Sequence, residues 1–76
     1  MNSYLTEDAQ KQLDNAFTYH PPKNDQGERY QMIREKAKAL AYLIADVCPA
    51  SREKSLALTN LEQAVMWANS AIARNE

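Results

Sequence analysis

Two apolar seams at helical spacing, parted by a single Cys48-Pro49 break, leave this chain little choice of fold. In the first, Tyr30, Ile33, Ala37, Leu40, Ile44 and Val47 alternate at intervals of three and four. In the second, Leu58, Leu61, Val65, Ala68 and Ile72 do the same. Such spacing lines one face of an α-helix, whereas apolar residues of a strand recur at every second position. Glycine occurs once, at Gly27, β-branched residues are scattered, and Ala, Leu, Gln, Glu, Lys and Met dominate. That composition favours helices, so the expected class is all-α.

Proline sets the boundaries. It lacks an amide donor and holds the preceding residue in extended geometry. His20-Pro21-Pro22 therefore closes a short N-terminal helical segment over residues 1–16, entered at Thr6 as cap with Glu7 and Asp8 in the favourable first turn. Residues 17–24 form an ordered, non-helical strap. Helices are expected over 25–48 and 51–74, the second capped by Ser51, and the short connector makes them an antiparallel hairpin within one domain, 1–76. At 1.5 Å per residue each would be on the order of 35 Å long.

A chain of 76 residues buries a small share of its surface and needs outside support. Cys48 is the lone cysteine and His20 the lone histidine, so neither a disulfide nor a zinc site can provide it. Self-association remains. From Leu56 to Ala73 the only charge is Glu62, although a helix in a two-helix hairpin should be wet over most of its circumference. On a helical wheel Trp67 falls away from the Leu58/Leu61/Val65 seam, near Leu56 and Ala71, and so calls for a second interface with another copy. Alternatively, the first helix folds back over that face.

Nine basic and ten acidic residues nearly cancel, which excludes a global field for duplex nucleic acid or anionic membrane. There is neither a signal-peptide pattern nor an apolar run of membrane length, and a reducing cytoplasm is the expected setting. Catalytic machinery is missing from the pattern. Cys48, directly before Pro49, has no feature that lowers a thiol pKa, and no phosphate loop, metal-spaced cluster or nucleophile elbow is present. No enzymatic activity and no cofactor are expected.

The segment FTYHPPKNDQGERY, residues 17 to 30, gathers three aromatic rings, His20, Lys23 and Arg29 around a proline-stiffened strap. Rings beside cations suit a flat anionic ligand, because a base stacks while Lys or Arg meets phosphate. The structural alternative makes Phe17 and Tyr30 core residues and leaves His20 to hydrogen-bond the strap; spacing alone favours it. On the second helix Arg34 and Lys38 lie one turn apart on one flank of the seam, with Lys36 and Arg29 on the other, so each pair is either a phosphate grip or a solvated face. Arg74, after a nearly uncharged helix, has either dipole complementarity or ligand contact to explain it.

FTYHPPK (17 to 23), the DQ and RY pairs (25 to 30), IREKAKALA (33 to 41), CPASREKSLA (48 to 57) and AVMWANSAIARN (64 to 75) resemble the signature of the phage anti-CBASS cyclic-oligonucleotide sponges, whose helical hairpin is shared with the anti-Thoeris sponges. The resemblance runs from Phe17 nearly to the end. It implies a homo-oligomer, typically a hexamer, in the cytoplasm of an infected bacterium, which sequesters cyclic dinucleotides such as 3′,3′-cyclic GMP-AMP and cyclic trinucleotides. It further implies that Tyr19 stacks a base and Arg34 holds phosphate, that His20, Lys23 and Gln26 shape the pocket, and that Arg74 serves a second site on an oligomer axis; Lys38 is a nucleotide-binding candidate by its place one turn from Arg34. Other readings are a helical adaptor docking a host protein, a sponge for Thoeris-type ADP-ribose signals and, weakest, a phosphodiesterase lacking the paired histidines or metal ligands it would need.

Overall fold

The computed structural model describes residues 4–76; Met1 to Ser3, the start of the expected N-terminal segment, lie outside them. The described residues form three α-helices and no strand: α1 (Glu7–Ala16), α2 (Gln26–Val47) and α3 (Arg52–Asn75). The all-helical class read from the seams is the class observed.

Each helix end has a local cause. Thr6 Oγ1 accepts from the Ala9 amide at 3.0 Å, with Glu7 and Asp8 in the first turn of α1. Cys48 holds the extended geometry that a residue before proline must take, with ψ at 133°, and so ends α2. Ser51 Oγ accepts from the Lys54 amide at 3.1 Å and opens α3. Ser51→Ala is expected to lower stability by about 1 kcal/mol in urea unfolding, and an unchanged midpoint would show that the cap contributes nothing.

α2 and α3 pack against each other along their length. The hairpin is antiparallel: Lys54 near the start of α3 donates to the Ala45 carbonyl near the end of α2 at 2.9 Å, while Glu76 beyond α3 meets Arg29 near the start of α2. On α3 the half-buried line is Leu58, Leu61, Val65, Ala68 and Ile72, the seam read from spacing. On α2 it runs Tyr30, Ile33, Ala37, Ala41, Ile44 and Cys48. Leu40 and Val47, expected in the seam, are instead 44% and 64% exposed. From Ala37 the contact line advances four residues where the sequence allowed three or four. The small Ala37 and Ala41 then face the leucines of α3, and their size lets the two helices approach closely.

The molecule is a plate, 54 × 34 × 13 Å, whose least dimension is about the diameter of one helix with its side chains. No apolar side chain among the described residues is buried; the one buried residue is Gln26, at 3% exposure. α1 does not cover the outer side of α3. Its end is tied to the end of α3 where Asn15 Nδ2 donates to the Arg74 carbonyl at 3.4 Å, but Trp67 stays 69% exposed. Phe17, offered as core in the structural alternative, is 86% exposed.

Candidate functional site

The strap between α1 and α2 is fixed by polar contacts rather than by apolar burial. Thr18 Oγ1 donates to the Asp14 carbonyl, and the His20 ring bonds the Asn15 carbonyl through Nε2 at 2.8 Å. A carbonyl can only accept, so Nε2 carries the proton in this contact and Nδ1 is left as the second, unspent ring nitrogen. At the far end Lys23 and Gln26 bond reciprocally. The Lys23 amide donates to Gln26 Oε1 at 3.2 Å and the Gln26 amide to the Lys23 carbonyl at 3.0 Å. Between them Asn24 takes a left-handed φ of 55°, which Asn tolerates better than most residues.

The strap and the hairpin together enclose an open cavity of about 360 Å³. Tyr19, His20 and Pro22 supply one side, Tyr30 and Arg34 of α2 another, and Asn69 with Ser70 of α3 a third. Tyr19, 80% exposed, offers an open aromatic face among the described residues. Arg34 forms no ion pair, since those among the described residues all involve Arg29. Asn69 Oδ1 is buried without a hydrogen-bond partner, which costs about 1–3 kcal/mol unless a donor meets it.

Arg34 also borders a second and larger hollow, about 610 Å³, running along the hairpin. Lys38 and Tyr42 rim it on the α2 side and Glu62 on the α3 side, over a floor of Ala37, Ala41, Leu58 and Val65. Arg74 lies in a third hollow of about 340 Å³, with Asn15, Trp67 and Ser70. Ser70 borders both this and the strap cavity.

Among the sequence-derived candidates the fold therefore brings Tyr19, His20 and Arg34 into one cavity, sets Lys38 beside it in the groove, and puts Arg74 in a separate hollow. Lys23 and Gln26 do not line the cavity. Lys23 Nζ donates to the Glu76 carbonyl at 2.9 Å, and the buried Gln26 amide group holds the Lys23 backbone. Arg29, considered with Lys36 as a phosphate grip, is committed to the Glu76 carboxylate, to Oε2 at 2.9 Å and also to Oε1, and to Asp25 at 3.2 Å. That pair of hydrogen bonds raises the Arg29 pKa further above its ordinary value and holds the Glu76 carboxyl below the usual glutamate range. Asn69 and Ser70 were missed as site residues. Their signal was weak, since Thr59–Asn60 and Glu62–Gln63 are equal polar pairs in the same helix, and only the position of the strap selects the Asn69–Ser70 turn.

Among the described residues no helix is long and apolar enough to cross a membrane. No group of three or more His, Cys, Asp or Glu side chains among them could hold a metal ion. The chain matches neither a curated protein nor a solved structure. It does match a family model, described as the Acb2/Tad1 hairpin domain, over residues 9–73, which takes in α2, the strap and most of α1 and α3. With well over half of its 76 residues covered, the chain belongs to the Acb2/Tad1 hairpin-domain family.

Proposed function

We propose that the protein is a non-enzymatic sponge that binds cyclic oligonucleotide immune messengers in the bacterial cytoplasm and so blocks CBASS signalling. Family membership suggests a sponge for cyclic nucleotide signals. The observation that carries the reading to particular residues is the strap cavity, where the open ring of Tyr19 and the unpaired guanidinium of Arg34 share one wall system. A ring stacks a base and a guanidinium grips phosphate with two donors. His20 Nδ1 and Asn69 Oδ1 add unspent polar capacity for base edges. Lys38 extends the positive flank, while Lys23 and Gln26 serve the site by holding the strap. Arg74, beside Trp67, repeats the pairing of ring and cation and fits a second ligand site.

The working form is a homo-oligomer, and a hexamer is the expected state. A chain with no buried apolar side chain among its described residues lacks the burial that normally offsets the conformational entropy of folding. Exposed apolar groups occur on both sides of the α2–α3 layer, with Tyr42 on one flank of α2, Leu40, Leu43 and Val47 on the other, and Trp67 with Leu56 on α3. Sequestration requires only tight, stoichiometric capture, so the ligand should be released unchanged.

Calorimetric titration with 3′,3′-cyclic GMP-AMP, a cyclic trinucleotide and a cyclic ADP-ribose derivative, each followed by chromatography of the recovered nucleotide, tests this. Tight binding of the first or second with intact recovery supports the CBASS reading. Binding of the third alone moves the protein to Thoeris signals, cleavage makes it an enzyme, and no binding leaves a helical adaptor. Arg34→Ala is expected to weaken messenger binding by about 1.5–3 kcal/mol, the worth of a hydrogen bond to a charged group, and to flatten the salt dependence. An unchanged affinity at low salt would remove Arg34 from the site.

A further inference from the structure

Glu76, just beyond α3, gathers several polar contacts although it lines none of the three hollows described above. Its carboxylate takes both terminal nitrogens of Arg29 and its carbonyl takes Lys23 Nζ at 2.9 Å. Asp25 shares the guanidinium at 3.2 Å. Behind these charges the reciprocal Lys23–Gln26 bonds turn the strap into α2, and Gln26 is sealed at 3% exposure. Lys23 directly follows Pro22, which lines the strap cavity with Tyr19 and His20. The end of α3, the exit of the strap and the first turn of α2 therefore meet in one ionic clasp.

We infer that Glu76 is a positioning residue, which clamps Lys23 and Arg29 and so holds the strap with Tyr19 and His20 in the geometry that captures the nucleotide. The capture half of this inference rests on the sponge reading. The clasp half does not.

The clasp's value is local. The Arg29 and Glu76 side chains are 34% and 45% exposed, so their ion pair adds little to global stability. A bidentate carboxylate–guanidinium pair nevertheless fixes direction as well as distance. Strap residues freed by its loss must be ordered again at each binding event, which costs conformational entropy. Loss of the clasp should therefore appear as weaker binding at nearly constant melting temperature. Protonation has the same effect. The fold favours the charged form of Glu76, so the clasp is complete at neutral pH and is released as pH falls through the depressed pKa of that carboxyl. The groups facing it are Arg29, Lys23 and the neutral Gln26, with Asp25 on the far side of the guanidinium.

The test compares wild type, Glu76→Gln and the conservative Glu76→Asp in the full chain. Amide hydrogen exchange at Lys23 and Gln26, the mass of the assembly, and affinity for 3′,3′-cyclic GMP-AMP are measured. In Glu76→Gln the two amides are expected to exchange several-fold faster and affinity to fall roughly threefold to tenfold, the worth of about 0.7–1.4 kcal/mol, at unchanged assembly mass. Glu76→Asp recovers part of both. Exchange at Lys23 indistinguishable from wild type overturns the clasp, and faster exchange with full affinity overturns its role in capture. Wild-type protein that takes up no nucleotide overturns the sponge reading, while the exchange comparison still decides the clasp.

Discussion

Trp67→Asp is expected to break the assembly into smaller species in sedimentation velocity, with loss of a cooperative thermal transition. In an isolated hairpin this residue is 69% exposed and lies off the α2–α3 seam, and a surface substitution of that kind usually changes stability by no more than about 0.5 kcal/mol. If another copy covers the indole, the change removes an aromatic contact worth about 2–4 kcal/mol for the area buried and leaves a carboxylate to be desolvated. The two situations differ by several kcal/mol at each interface, and a symmetric assembly repeats that difference at every copy. An unaltered sedimentation profile would place the outer side of α3 in solvent and require the chain to find its support through the α2 flank instead.

Tyr19→Ala is expected to weaken cyclic dinucleotide binding roughly tenfold to a hundredfold in calorimetry while leaving assembly mass and melting temperature in place. Stacking of a base on an aromatic ring contributes about 1–3 kcal/mol, and at 80% exposure the ring adds little to packing among the described residues. Tyr19→Phe keeps the stacking surface and should bind within a few-fold of wild type. Equal affinity for the alanine variant in a correct assembly would move the base to another surface, with Tyr30 the next ring in the same cavity.

The helices were legible because their causes are local. Ser51 and Thr6 are caps in sequence and caps in space, and Cys48 before Pro49 cannot remain helical. The α3 seam was legible because its apolar residues keep a steady alternation of three and four, while polar residues such as Thr59, Asn60 and Gln63 fall off that line. The α2 seam was harder. Ala41 and Cys48 won over Leu40 and Val47 because the choice is made by the size of the residues opposite, which periodicity along one helix does not report.

For the site, Tyr19, His20 and Arg34 were singled out through the resemblance rather than by spacing, and that a single chain brings them to one cavity is visible only in the fold. What the sequence did not reveal is the commitment of Arg29. Its partner Glu76 lies 47 residues away, so a cation that read as available is already paired, and Lys23 is drawn into the same contact. Asn69 was equally hidden, since only the antiparallel register brings that turn of α3 beside the strap.

A plate one helix thick has no inside. In the proposed assembly every copy is a wall of its neighbour, so folding and association are one equilibrium and the folded fraction rises with the protein's own concentration. At low expression such an equilibrium is biased toward copies that can neither persist nor trap a messenger, and above a threshold nearly every added chain enters a competent trap. A decoy built this way acts on host signalling as a switch rather than as a dial, with its set point in the strength of the interfaces rather than in its affinity for the ligand.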